Sequence, residues 1–247
     1  MTGPAPRSGA AAGRAENRDM GEPKLDTRPA SGGTRAVALF CHGGTVAKLE
    51  PPRERALSLV RMRAIEQFVA DEAGGSGVTT SLLRYRVAGW NGVAADAHAD
   101  VRWALNRIRA EHGDVPVVLV GHSMGGRAVL RAGGEPQVGA VCALAPWTPP
   151  GEPVAHLRDR TVAILHGRGD RWVPAALSAE FSARAQEAGA HVARFTVAGG
   201  HSMIRRAIAW HTFVRDVVLA GAGIAPMRAD VAEALGRRDE GSLARTL

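Results

Sequence analysis

The pentapeptide G-H-S-M-G over residues 121–125 follows the apolar run 117–120 and precedes a helix-compatible run over residues 127–132. A strand that passes directly into a helix through one residue holds that residue in a strained conformation and lifts its side chain above the sheet. Because the chain on either side then comes close together, glycine suits the positions two before and two after. A serine without a catalytic role in a glycine-rich turn would also match this pentapeptide. The strand before and the helix after them favour an activated nucleophile at Ser123.

A nucleophilic serine needs a base, and the base needs an acid that orients it. One candidate for each role follows downstream, just after a predicted strand. The apolar run 161–165 leads into Asp170, and the alternating run 192–197 leads into His201. Because the carboxyl ends of parallel strands line one crevice, we expect Ser123, Asp170 and His201 to meet there.

Other residues of the same types fit the pattern less well. Asp159 precedes its strand, and Asp216 lies inside the helical pattern after the histidine. Ser202 lacks the second glycine and the tight strand that frame Ser123. No pair of histidines shows metal-ligand spacing with a carboxylate partner, so we expect no metal. Three histidines near strand ends are interpreted as structural: His42, His122 and His166.

At this point the chain resembles the α/β-hydrolase family over roughly residues 36–220. Beside the pentapeptide, the resemblance depends on H-G-G at 42–44, G-R-G-D at 167–170 and G-H at 200–201. It implies that Ser123 attacks an acyl carbon, that His201 takes and returns the proton, and that Asp170 holds the imidazole in the required tautomer.

The resemblance also implies an oxyanion hole. Its donors would be the backbone N–H of Met124 and that of Gly44 or Thr45, and two such donors are typically worth on the order of 10² to 10³ in rate each. The connection over residues 146–160 is too short for the helical cap that many relatives insert, so we expect an open cleft. Three tryptophans lie in the surrounding loops and are interpreted either as the lining of a substrate groove or as packing beneath loops: Trp90, Trp147 and Trp172.

Strand and helix patterns alternate along the chain, which predicts a three-layer α/β/α sandwich with a mostly parallel sheet of about six strands. The strands are predicted near residues 36–41, 80–87, 116–120, 138–144, 161–166 and 192–197. The helices are predicted near residues 53–73, 94–112, 124–132, 174–189 and 202–220. The family usually has eight strands. No convincing pair precedes Val37, so the first hairpin is expected to be absent, and a strand within residues 20–35 is left open.

The ends of the chain differ in composition from its middle. Residues 1–35 are rich in Gly, Pro, Ala, Ser and Arg and are predicted to be a disordered leader. Residues 36–220 are predicted to form the hydrolase domain, and residues 221–247 a C-terminal helix or tail. We find no apolar core of a secretory signal and no stretch of transmembrane length, so neither a signal nor a membrane span is expected.

The net charge of +7 could suggest a nucleic-acid partner. All but two of the 31 basic residues are arginines scattered among acids, however, so we interpret the charge as a compositional bias and expect no nucleic acid. If the strand order follows that of the family, as the resemblance implies, the strand before Ser123 separates the strands of Cys41 and Cys142. The two cysteines would then be about 9.5 Å apart, beyond disulfide reach. Free thiols fit a reducing cytoplasm.

These observations predict a serine hydrolase that cleaves small-molecule carboxylic esters through an acyl-enzyme, without a cofactor. Thioesterase, lysophospholipase and cofactor-free perhydrolase activities remain alternatives because they use the same groups. A non-catalytic hydrolase-fold binding protein remains a further one. The acyl group, the alcohol and the oligomeric state are left open, since fold alone does not determine them.

Overall fold

The computed structural model describes residues 21–237, 239, 241 and 243–247, so most of the predicted leader lies outside the described residues. The strands are β1 (Lys24–Arg28), β2 (Ala36–Cys41), β3 (Val78–Arg84), β4 (Val117–His122), β5 (Val138–Leu144), β6 (Thr161–Gly167), β7 (His191–Val197) and β8 (Arg245–Thr246). The α-helices are α1 (Leu57–Ala73), α2 (Asp96–His112), α3 (Met124–Ala132), α4 (Ala175–Glu187), α5 (Ala207–Gly221) and α6 (Ala229–Gly236).

The eight strands form one sheet in the order β1-β3-β2-β4-β5-β6-β7-β8. β1 pairs antiparallel with β3, and every other pairing is parallel. The predicted mostly parallel α/β architecture is therefore confirmed, with two strands more than the six expected. The carboxyl ends of β2 to β7 share one edge of the sheet, which we call the carboxyl edge.

Helices cover both faces of the sheet, and the strand sequences show why. All six residues of β2 are buried, as expected for a central strand covered on both sides. Its side chains alternate between two apolar clusters. Leu39 packs in the cluster that contains residues of α2, α3 and α4, whereas Phe40 packs in the one that contains residues of α1, α5 and α6. This alternation produces the three-layer sandwich.

The first strand lies within the segment that was predicted to be a disordered leader. Residues Lys24–Arg28 form the edge strand β1, so disorder across residues 1–35 is wrong over this segment. The segment has only one apolar residue, Leu25, because an edge strand with a solvated face needs few. Long-range polar contacts hold it in place: Thr27 hydrogen-bonds Ser81 at 3.0 Å, and Arg28 pairs with Glu66 at 3.0 Å.

The C-terminal segment also joins the domain. It contains α6 and ends in β8, which pairs parallel with β7. The sheet thus extends beyond the predicted domain bounds of 36–220 at both ends. None of the helices in the described part of the chain is both long enough and apolar enough to cross a bilayer.

Candidate active site

Ser123 occupies the single-residue turn between β4 and α3. Its φ of 55° and ψ of −116° are strained for a residue with a side chain. A Cβ on Gly121 would lie 2.4 Å from the carbonyl oxygen of Gly125, and one on Gly125 would lie 2.2 Å from that of Cys41. A larger residue at position 121 would push the turn apart, and one at position 125 would collide with the end of β2, so the two glycines permit the conformation that presents Ser123.

The three residues predicted to meet are joined by hydrogen bonds. His201 Nε2 lies 2.9 Å from Ser123 Oγ, and His201 Nδ1 lies 2.7 Å from Asp170 Oδ2. An ionised carboxylate only accepts, so Nδ1 carries the proton and Nε2 accepts from the serine hydroxyl. Each residue lies just beyond the carboxyl end of its strand: β4, β6 or β7. The arrangement can take a proton from Ser123 and hold it on the imidazole.

The Asp170 carboxylate is buried and fully hydrogen-bonded. Its Oδ1 accepts from the backbone N–H groups of Trp172 and Val173, each at 2.9 Å. Its Oδ2 lies 3.3 Å from His166 Nε2, in addition to the bond from His201. Burial would raise the pKa of Asp170, but the bonds from His166, His201 and Val173 outweigh it and hold that pKa well below its usual value. The carboxylate therefore stays ionised, which keeps His201 in one orientation.

A second imidazole, that of His122, hydrogen-bonds the main chain of His201. His122 Nε2 donates to the carbonyl oxygen of His201 at 3.0 Å, and the two ring centroids are 4.7 Å apart. Burial, with the neighbouring His201 charge, lowers the pKa of His122 to about 3. A neutral His122 donates through one nitrogen and leaves its buried Nδ1 without a protein partner in the described chain. Its predicted structural role is consistent with these contacts.

The loop after β2 approaches Ser123 closely. A Cβ on Gly43 would lie 3.2 Å from Ser123 Cβ, and one on Gly44 would lie 2.4 Å from Met124 Cε. The Gly43 carbonyl accepts from His42 Nδ1 at 2.7 Å and from Ser58 Oγ at 2.9 Å.

Of the two predicted loop donors, Thr45 is engaged elsewhere: its N–H donates to Ala88 O at 2.9 Å. We find no protein acceptor for the Gly44 N–H within the described residues. Gly44 is therefore the available donor of the pair.

The three predicted loop tryptophans have separate environments. Trp90 is 2% exposed, with the guanidinium of Arg127 3.9 Å above its ring centre, so it packs beneath the surface. The Trp147 ring meets it edge-on at 6.4 Å, and the backbone N–H of Trp147 donates to Ser123 O at 3.0 Å. Trp172 lies nearly parallel to the His201 ring at 6.2 Å and is 85% exposed.

A cavity of about 490 Å³ opens beside α3. Its lining includes Val46, Val93, Trp90, Trp147, Arg127 and Arg131. Two of the lining residues, Trp147 and Arg127, donate their backbone N–H groups to the Ser123 carbonyl oxygen, whereas neither Ser123 nor His201 is among the lining residues.

A charge cluster in this cavity wall was not anticipated from the sequence. The buried carboxylate of Glu152 accepts from Arg127 Nε and Arg131 Nε, each at 2.7 Å. The spacing of four residues places both arginines on one side of α3 and was visible in the sequence. Glu152 lies in a loop that is distant in sequence and has no periodic pattern, so no local sequence pattern predicted its pairing with the two arginines.

The alternative residues lie in other settings. Cys41 is fully buried, and burial raises the pKa of its thiol far above the usual value, so it is not a nucleophile. Cys142 is also free and buried, with β4 between the two strands. Asp216 is bound to Arg215 at 2.7 Å on α5. No group of three potential metal ligands occurs among the residues that the structure describes.

Comparison with known proteins agrees with this architecture. The family described as alpha/beta hydrolase fold matches residues 74–192, which include Ser123 and Asp170. A serine hydrolase without a lid from Xanthomonas campestris has a TM-score of 0.55 and 16% identity, covering 81% of this chain and 88% of that one. No curated protein matches the chain in sequence.

Two esterases have similar folds. Est1E from Butyrivibrio proteoclasticus, solved with ferulic acid, has a TM-score of 0.62 and 14% identity, covering 81% of this chain and 96% of that one. Thermogutta terrifontis esterase 2, phosphoramylated by tabun, has a TM-score of 0.61 and 18% identity, covering 83% and 92%. With the strand order and the match over residues 74–192, these likenesses show that the chain has the α/β-hydrolase fold.

Proposed function

We propose that the protein is a serine hydrolase that cleaves carboxylic esters through an acyl-enzyme. The observation that carries the proposal is the continuous hydrogen-bond chain from Ser123 through His201 to Asp170. In such a chain the base and its orienting acid are both in place before substrate arrives.

In the proposed reaction, Ser123 Oγ attacks the ester carbonyl carbon while His201 Nε2 takes the hydroxyl proton. The tetrahedral intermediate collapses, the bond to the alcohol oxygen breaks, and His201 returns the proton to that oxygen. Water then attacks the acyl-enzyme by the same route, releasing the acid and regenerating Ser123. Asp170 stays ionised throughout and stabilises the imidazolium that forms twice per turnover.

The oxyanion that forms in each half-reaction needs donors, and we assign them to the backbone N–H groups of Gly44 and Met124. Met124 is the first residue of α3, where the N–H has no partner within the helix. The Gly43 carbonyl is fixed by His42 and Ser58, and a trans peptide points the Gly44 N–H in the opposite direction. We therefore propose that Ser58 and His42 act as positioning residues for this donor.

Two observations support an ester with an apolar acyl or aryl group as the substrate. The aromatic and aliphatic side chains that line the cavity beside α3, two of whose residues bond the main chain of Ser123, support an apolar acyl or aryl group. Two structurally similar proteins are named as esterases, and one of them was solved with ferulic acid. Thioester, lysophospholipid and perhydrolase substrates would use the same groups and are separated by assay. A small-molecule substrate without nucleic acid, and a cytoplasmic setting, stay predictions.

The test is hydrolysis of p-nitrophenyl esters from acetate to palmitate by the wild type, by Ser123→Ala and by Ser202→Ala as the matched control. We expect Ser123→Ala to lose turnover and labelling by a fluorophosphonate, and Ser202→Ala to keep both. Turnover by Ser123→Ala within a few-fold of wild type would refute the nucleophile. No turnover and no labelling of the wild type would favour the non-catalytic binding protein.

A further inference from the structure

In the part of the chain that the structure describes, the exposed large hydrophobic side chains are confined to one edge of the sheet. Among the described residues, the large hydrophobics that are exposed all lie in loops or first helical turns beyond the carboxyl ends of β2, β3, β6 and β7. They are Val46, Leu49, Leu57, Val60, Val93, Trp172, Ile204 and Ile208. We call residues 44–60, 85–95, 168–174 and 198–208 the rim. Single exposed hydrophobics are ordinary, but such a concentration around one cleft marks an interaction surface.

Hydrogen bonds to main-chain carbonyl oxygens hold the rim together around the candidate site. The N–H of Asn91 donates to Val46 O at 3.0 Å, which joins the loop after β2 to the loop that presents Val93. Arg61 at the start of α1 donates to Met203 O at 2.7 Å, next to Ile204. The rim is therefore an ordered surface rather than a set of independent loops.

The charge of the rim is strongly one-sided. Six of its arginines are exposed and form no ion pair within the described chain: Arg53, Arg55, Arg168, Arg171, Arg205 and Arg206. The exposed acids of the rim are Glu50 and Glu54, and Glu54 is already paired with Arg84. The apolar side chains thus lie within an unpaired cationic border.

We propose that the rim docks the protein on an anionic lipid–water interface, from which an ester-bearing amphiphile reaches Ser123. Apolar side chains enter the boundary between headgroups and acyl chains, while arginines contact anionic headgroups. Val93 is fully exposed and Trp172 is 85% exposed, so both are placed for insertion. A second copy of the chain is a poorer occupant, because pairing two rims would oppose their unpaired positive charges. The docking stands without the proposed function, whereas the substrate class rests on it.

The experiment measures sedimentation with large unilamellar vesicles of phosphatidylcholine, with and without phosphatidylglycerol, in the Ser123→Ala background so that no turnover occurs. We expect binding to the anionic vesicles that weakens with added salt. Adding Val93→Ser with Ile204→Ser should lower the partition coefficient about ten-fold or more. Arg171→Gln with Arg205→Gln should lower it by about five-fold for each arginine.

The matched control is Arg107→Gln with Arg158→Gln. Both residues are exposed arginines near the opposite edge of the sheet, so this pair should bind as the parent does. Trp172 supplies a second readout: a blue shift of tryptophan emission on binding that Trp172→Phe removes. Both effects should be absent with phosphatidylcholine alone.

Three results would overturn the proposal. The first is no binding to either vesicle, and the second is binding that the rim variants leave unchanged. The third is a concentration-dependent dimer in sedimentation velocity that Val93→Ser with Ile204→Ser dissociates, without vesicle binding. If the wild type hydrolyses a soluble p-nitrophenyl ester but binds no vesicle, the docking is refuted and the proposed function is not. Vesicle binding without any ester turnover refutes the proposed function and leaves the docking intact.

Discussion

Replacing Asp170 with asparagine changes one atom and should inactivate the protein through the tautomer of His201. Oδ1 of Asp170 accepts two backbone N–H groups, and Oδ2 faces His201 Nδ1 at 2.7 Å and His166 Nε2 at 3.3 Å. An asparagine has only one side-chain oxygen, which can face either the two backbone N–H groups or the two imidazoles. If the oxygen keeps the two backbone bonds, the amide NH₂ points at two imidazole nitrogens.

The His201 imidazole would then hold its proton on Nε2, so that Nδ1 accepts from the amide. Nε2 in that form donates toward Ser123 Oγ and no longer takes its proton. Loss of the correct tautomer in a triad of this kind lowers kcat by about 10⁴. We expect that loss on any ester that the wild type hydrolyses, with a parallel loss in the rate of fluorophosphonate labelling. KM should change little, because Asp170 does not contact substrate.

Asp216→Asn is the matched control, since Asp216 is an aspartate in an ion pair on α5, away from the candidate site. It should keep wild-type kcat. Thermal unfolding followed by circular dichroism should show that Asp170→Asn is folded at the assay temperature. A folded Asp170→Asn protein with kcat within ten-fold of wild type would refute the role given to Asp170.

Three further predictions follow from the same contacts. Ser123→Ala should abolish ester hydrolysis and leave the melting temperature unchanged within a few degrees; a large fall would mean that the hydroxyl also supports the fold. Gly44→Ala should lower kcat by about 10² or more, because a Cβ would lie 2.4 Å from a main-chain carbonyl oxygen and from Met124 Cε and would displace the proposed oxyanion donor. Gly75→Ala, where a Cβ meets nothing within 4 Å, is its control, and equal activities would contradict the assignment. Burial, the main cause at both sites, lowers the pKa of His42 to about 4 and that of His122 to about 3. The unfolded chain therefore binds more protons below about pH 6.5, and each histidine should remove about 2 kcal/mol from the unfolding free energy between pH 7.5 and 5. Denaturant titrations should show that His122→Asn shrinks this loss by about 2 kcal/mol; an unchanged pH dependence would contradict the neutral, buried imidazole.

Local patterns predicted the central elements closely. The predicted bounds of β2, β5 and α3 coincide with those in the structure, and the other predicted strands and helices differ by a few residues at their ends. Central strands of a parallel sheet are apolar almost throughout because both of their faces are buried, so their pattern is unambiguous. The edge strands β1 and β8 have no such pattern, because half of their surroundings is solvent. Their existence depends on partners that are distant in sequence.

In the candidate site, too, some features could be predicted from local sequence and others depend on contacts between distant residues. The order of Ser123, Asp170 and His201, each beyond a strand, was readable because chain direction determines at which edge a parallel strand ends. Other features depend on distances between separate loops, which no local pattern gives. They are the nitrogen that His201 presents to Ser123, the hydrogen bond from Thr45 to Ala88, and the pairing of Glu152 with two arginines of α3.

The sequence by itself determined the fold class, the strained turn at Ser123 and the three residues placed around one crevice, because periodicity and glycine spacing act over neighbouring residues. Only the tertiary structure decided the hydrogen-bonded geometry of those residues, the donor left available in the loop after β2, and the gathering of exposed hydrophobic and cationic side chains into one rim. Those features arise from residues far apart in the chain, and no local pattern encodes which of them will come into contact.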